Sequence, residues 1–190
     1  KKLQEATTKL YQEAAKKQAE EHPQEGSADD DKKNAANKGK DDDVVDADFE
    51  VKDLKLAEQG RKNLEWAEMQ MGALMKVKER FTKEKPLKGI HIGLALHVTK
   101  ETGILVRTIV AGGATVAITG CNPLSTQDDV AAALAEEGIK VWAYKGEAKE
   151  DYYRYLTYVI QTKPQITIDD GCDLVTEIHM KKPDKINSIW

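Results

Sequence analysis

Three short polar clusters hold the residue types of this chain that can do acid–base or binding chemistry. They are His97-Val98-Thr99-Lys100-Glu101-Thr102, the run from Gly120 to Asp129, and Asp169-Asp170-Gly171-Cys172-Asp173. The His97 imidazole can trade protons near neutral pH. Three carboxylates in five residues repel one another unless something offsets them. That pattern suits a base of raised pKa, a pair that binds hydroxyls, or a metal site. A metal is the least favoured of these, because no histidine joins the acids at ligand spacing along the chain. Cys121 and Cys172 form no CxxC or Cys/His zinc pattern either. Every cluster also has a plain structural reading. Thr99, or Ser125 or Thr126, can open a helix, Glu101 suits a helix's first turn, Asn122-Pro123 makes a turn, and Asp173 can cap.

The elements that must position these clusters follow from apolar periodicity. Leu64, Ala67, Met71, Leu74 and Met75 line one face of a helix ending near Phe81, and Pro86 and Gly89 mark a turn. Strands are then predicted at 89–96, 114–120, 139–144 and 165–170, with helices at 101–112, 126–137, 148–162 and from about 173. This alternation predicts an α/β fold, a parallel Rossmann-like sheet with helices on both faces. Each polar cluster falls directly after a strand. In such sheets ligands bind beyond the carboxyl ends of the strands, so three turns offer polar groups to one crevice.

The rest of the chain is unlike this part. The chain has 190 residues, a net charge of −4 and 33% charged residues, which gives no reason to expect nucleic acid. No apolar run reaches membrane-spanning length and the start lacks a signal-peptide core, so a cytoplasmic protein with reduced thiols is expected. Leu3, Ala6, Leu10 and Ala14 predict a helix over residues 1–22 with a narrow apolar stripe. Residues 23–50 form an acidic linker expected to be disordered, since 23–43 contain no large apolar residue. Residues 51–190 form the α/β domain.

At the strand-end turns the sequence resembles S-adenosylhomocysteine hydrolases. The matching stretches are LAEQGRKNLEWAE, LHVTKET, GATVAITGCNPLSTQDDVAAALAEEGIKVWAYKGE and IDDGCDLVTEIH, from about residue 52 to Trp190. The resemblance implies reversible hydrolysis of S-adenosyl-L-homocysteine to adenosine and L-homocysteine. NAD oxidises the ribose 3′ hydroxyl, the thioether is eliminated, water adds, and NADH reduces the ketone. By motif, Leu96, Thr99 and Glu101 would hold the adenine. His97 would be an acid/base group near the ribose 5′ position, and Asp170 would bind or deprotonate near the ribose. Asn122, Ser125, Gln127 and Asp128 would line the crevice. Cys172 departs from the glycine frequent in this motif.

The resemblance also implies what to expect elsewhere. The family's EETTTG segment and its dinucleotide domain should follow Trp190, so the substrate domain is expected to be incomplete and inactive alone, with no NAD-binding or metal-binding residues. The resemblance also implies an oligomer for the family, with the state of this piece left open. The rival expectation is an adenosine-binding or inert module that interacts through an apolar patch of Trp66, Met71 and Met75. Residues 1 to about 50, with LQEATTKLYQEAAKK and VVDADFEVKD, resemble the C-terminal lid helix and acidic tail of DnaK-type seventy-kilodalton chaperones. FEVKD suits either neighbour, so the junction is expected between residues 45 and 55.

Overall fold

A computed structural model describes residues 48–181. The helix expected over 1–22, the linker expected over 23–50 up to residue 47, and with them the chaperone-like segment up to that point, lie outside the described residues. Five strands form one wholly parallel sheet: β1 (Phe49–Glu50), β2 (His91–Ala95), β3 (Thr115–Thr119), β4 (Lys140–Trp142) and β5 (Ile166–Asp169). Six α-helices flank it: α1 (Ala57–Gln70), α2 (Gly72–Glu84), α3 (Lys100–Ala111), α4 (Asp128–Glu136), α5 (Lys149–Gln161) and α6 (Asp173–Lys181). The α/β reading with helices on both faces therefore holds.

The strand order is β1-β4-β3-β2-β5. From β2 the chain steps outward through α3 to β3 and through α4 to β4. It then crosses back through α5 and adds β5 on the other side of β2. The order reverses beside β2, so the carboxyl ends of β2 and β5 flank a topological switch point. The central strands β2 and β3 are buried along four of their five residues, as parallel strands covered on both faces must be.

Two cores result. On one face Leu64, Ile104, Val106, Val130 and Leu134 join Leu94, Ile118 and Val141 of the sheet. On the other, Tyr152, Tyr155, Leu156 and Val159 of α5 and Leu174 and Ile178 of α6 pack on Ala95, Ala117 and Trp142. Burial of these side chains contributes roughly 1.5–3 kcal/mol each and outweighs any local propensity. At Gly60 of α1 a Cβ would run into the Asp129 carbonyl, so only glycine lets α1 lie against the start of α4.

Two expectations change. The single helix ending near Phe81 is two helices bent at Met71, whose ψ of 47° leaves the helical range. The hydrogen-bond ladder still passes the bend, from the Met71 N–H to the Ala67 carbonyl and from the Met75 N–H to the Met71 carbonyl. Gly72, a poor helix former, accommodates the turn. α2 ends at Glu84, with Lys85 in the left-handed conformation just ahead of Pro86.

The sheet also has a strand that periodicity did not show. Phe49 and Glu50, placed in the acidic linker by composition, pair with Val141 and Trp142 at the sheet edge. Arg154 of α5 bonds the Glu50 carboxylate, and Lys140 reaches Asp48 at 2.8 Å. Asp48 to Val51 thus belong to the α/β unit and not to the segment before it. Met71 and Met75 pack against the aliphatic core and do not form the anticipated patch. Trp66 does stay exposed, at 49%, with the Lys100 ammonium 4.2 Å above its ring.

Candidate functional site

The turns after β2, β3 and β5 meet at the switch point, and their backbones are tied before any side chain contributes. The Leu96 N–H donates to the Thr119 carbonyl, the Cys121 N–H to the Leu96 carbonyl, and the Asp170 N–H to the Ala95 carbonyl. Into this frame project His97, Ser125, Cys121 and Asp170. His97 Nδ1 lies 2.7 Å from Ser125 Oγ, and its Nε2 lies 3.4 Å from Asp170 Oδ2. His97 and Asp170 are 46% and 62% exposed, so both are open to a ligand.

One hydroxyl proton serves two neighbours. Ser125 Oγ lies 3.0 Å from the Asn122 carbonyl and 2.7 Å from His97 Nδ1. Turned to the carbonyl it accepts from Nδ1–H; turned to the ring it donates to Nδ1, and the ring proton then sits on Nε2, facing the Asp170 carboxylate. Either way Ser125 holds one edge of the ring and Asp170 stands beside the other.

Other anticipated residues hold the frame. Gln127 Oε1 accepts from the Lys100 N–H at 2.9 Å, and its own N–H donates to the Val98 carbonyl, so it caps α3 from the neighbouring turn. Thr99 stands at the cap position without making the side-chain cap bond, which leaves its hydroxyl for other work. Glu101 lies exposed in the first turn of α3, close to the positive end of that helix. Asn122 Oδ1 accepts from the Leu124 N–H and closes the turn that carries Ser125. Asp128 Oδ1 accepts from the Lys145 N–H at 2.7 Å and secures the loop after β4. Leu96 is half-buried against the aliphatic core. Gln127 and Asp128 thus bond the backbone, Ser125 bonds His97, and His97, Glu101 and Asp170 are exposed at the same end of the sheet.

Cys121, Glu147 and Tyr152 matter here although periodicity drew no attention to them. Burial, helped by the charges of Asp170, Asp169 and Asp173, pushes the Cys121 thiol up to about 11. Tyr152 donates its hydroxyl proton to Asp173 at 2.8 Å, anchoring the acidic turn to α5. Glu147 is buried, and its carboxyl finds no hydrogen bond of good geometry among the described residues. Burial pushes it up to about 7, with the Tyr144 N–H opposing only in part. Its Oε1 and Thr126 Oγ1 both lie 3.4 Å from where a Cβ on Gly120 would stand, so a glycine there leaves this buried acid its room. Cys172 takes φ 73°, in the left-handed region, where a side chain costs roughly 1–2 kcal/mol that glycine does not incur.

The described residues do not fit a dinucleotide. The turn after β2 is filled by His97, Val98 and Thr99, and the first N–H of α3 is already taken by Gln127. No glycine-rich phosphate loop follows any of the described strands.

Comparison with known proteins shows the family of the chain. The family description S-adenosyl-L-homocysteine hydrolase matches residues 48–189, starting at the edge strand. The chain is 57% identical over 136 residues to the adenosylhomocysteinase of Sulfurisphaera tokodaii, covering 72% of this chain and 33% of that one. It is 55% identical over 137 residues to the adenosylhomocysteinase of Aquifex aeolicus, covering 72% of this chain and 33% of that one. It is 50% identical over 141 residues to the S-inosyl-L-homocysteine hydrolase of Methanocaldococcus jannaschii, covering 74% of this chain and 34% of that one. The chain spans about a third of the length of these relatives. The family match over residues 48–189, with identities of 50–57% to these relatives, makes this chain a member of the S-adenosyl-L-homocysteine hydrolase family.

Proposed function

We propose that this chain supplies the nucleoside-binding half of an enzyme that reversibly hydrolyses S-adenosyl-L-homocysteine to adenosine and L-homocysteine. The observation that carries the reading is the meeting of His97, Ser125 and Asp170 at the switch point of the sheet. His97 Nε2 is the proton acceptor or donor at the ribose 5′ position, and Ser125 keeps the ring turned toward it. Asp170 binds ribose hydroxyls and balances the imidazolium. Leu96, Thr99 and Glu101 hold the base, with Asn122 shaping the turn beside it. The family's cofactor, NAD, supplies the redox chemistry, and that part of the reaction is not assigned to the described residues, which offer it no cradle.

The activities named for the relatives differ at the purine 6-position, an amine in adenosine and a carbonyl in inosine. Glu101 is an acceptor and suits the amine; a carbonyl would set lone pair against lone pair. Adenosine is therefore the preferred nucleoside. Calorimetric titration of adenosine and inosine into the full chain tests this. Adenosine should bind more tightly, and Asp170→Asn should weaken it by about tenfold or more, as loss of a charged hydrogen bond does. Glu101→Gln should narrow the gap between the two nucleosides. No heat with either nucleoside, or heats unchanged in both variants, favours the rival reading of an inert interaction module and overturns this one.

A further inference from the structure

The chain-spacing argument against a metal loses its force in space, because a histidine from a different turn joins the acidic one. His97, Cys121 and Asp170 each offer a ligand atom, and these atoms all lie within 4.8 Å of one another. We infer that His97 Nε2, Cys121 Sγ and Asp170 form a three-ligand site for a divalent ion of the zinc type, with a fourth position open to water. Nothing in this inference depends on nucleoside binding.

Three features support it. The 3.4 Å between His97 Nε2 and Asp170 Oδ2 is long for a hydrogen bond. It is instead about the edge of a tetrahedron built on metal–ligand bonds of roughly 2.0–2.2 Å. A metal on Nε2 would hold the ring proton on Nδ1, where Ser125 Oγ stands 2.7 Å away to accept it and can pass its own proton to the Asn122 carbonyl. That bond to Ser125 is the outer support that metal-bound histidines usually have. Finally, the ligand set is mixed: one imidazole, one thiol and one carboxylate favour zinc or cobalt over calcium or magnesium, which take oxygen ligands alone. The surrounding charge is negative, from Asp169 and Asp173, and suits a cation.

Binding requires the thiol to lose its proton, so affinity falls as pH falls. The ion would hold the same Nε2 that serves as base, and an occupied site would be blocked for proton transfer.

The test is titration of the full chain with Co²⁺ and Zn²⁺, free of nucleoside, by absorption and calorimetry. One equivalent should bind, and Co²⁺ should give a thiolate charge-transfer band in the near ultraviolet. Cys121→Ser should abolish the band, His97→Ala should abolish the one-equivalent binding, and Ser125→Ala should weaken binding by about tenfold by removing the outer support. Circular dichroism of each variant separates a lost site from a lost fold, and Ser125→Ala keeps all three ligands. The inference is overturned if no equivalent binds. It is equally overturned if band and stoichiometry survive Cys121→Ser and vanish in Cys172→Ser, or if His22, His91 or His179 and not His97 carries the binding.

Discussion

The two faces of the sheet are built from different material. The face under α1, α3 and α4 is aliphatic, packed from leucine, isoleucine, valine and alanine. The face under α5 and α6 is aromatic, with Trp142, Tyr152 and Tyr155 buried in it. Aliphatic side chains fill space and ask for nothing more. Tyrosines bring hydroxyls, and that of Tyr152 leads toward the acidic turn, bonding Asp173 at 2.8 Å. The buried acid Glu147 adds a further polar group close to the turn after β3. One face is a scaffold, and the other connects packing to the site. Damage to the first should lower stability alone; damage to the second should also alter pH behaviour and ligand binding.

The largest effect belongs to the scaffold. Leu64→Ala removes a wholly buried side chain and should cost about 2–5 kcal/mol in denaturant unfolding, without a pH dependence. Next is Glu147→Gln. The unfolded chain loses this proton near 4.5, the folded chain near 7. Between those values the folded state holds a proton that the unfolded state has lost, so stability falls as pH rises through the window and is level above it. The variant should remove that slope and gain about 2–3 kcal/mol at pH 8, measured by unfolding at pH 5 and pH 8. An unchanged slope would show that this acid is not the source. The smallest effect is that of Tyr152→Phe, which should cost about 1 kcal/mol in stability. It should weaken nucleoside binding besides, since Asp173 loses its anchor. Equal binding by Tyr152→Phe and the parent chain would remove the distinction between the faces.

Most of the fold was legible because strands and helices alternate with clear stops at Gly112-Gly113, Gly138 and Pro86. The edge strand was not: Phe49-Glu50 is two residues in an acidic stretch, and only its partner Val141-Trp142 and the ion pair with Arg154 give it a place. The bend at Met71 was hidden because the apolar face runs straight through it. At the site, residue type and position after a strand placed His97, Ser125 and Asp170 at one end of the sheet, where the structure brings them together; their roles came from the family resemblance. Gln127 and Asp128 belong to the same motif, expected to line and support the crevice, and they bond the backbone at Lys100 and Lys145. A sequence motif reports which residues go together, not whether each one faces the ligand or the chain. Spacing along the chain likewise separated Cys121 from His97 and Asp170, whereas the parallel strands set their turns side by side.

The reversal of strand order has a consequence for assembly. His97 and Ser125 are 28 residues apart and sit on turns joined by one local β–α–β unit. Asp170 lies more than twice as far from His97 along the chain and arrives only when the crossover through α5 lays β5 against β2. Closing such a long loop is slow relative to local pairing, because its entropy is lost before the contacts reward it. A folding chain would thus hold an oriented imidazole before it holds the carboxylate that balances it. β5 is thus the strand whose pairing with β2 completes this end of the sheet.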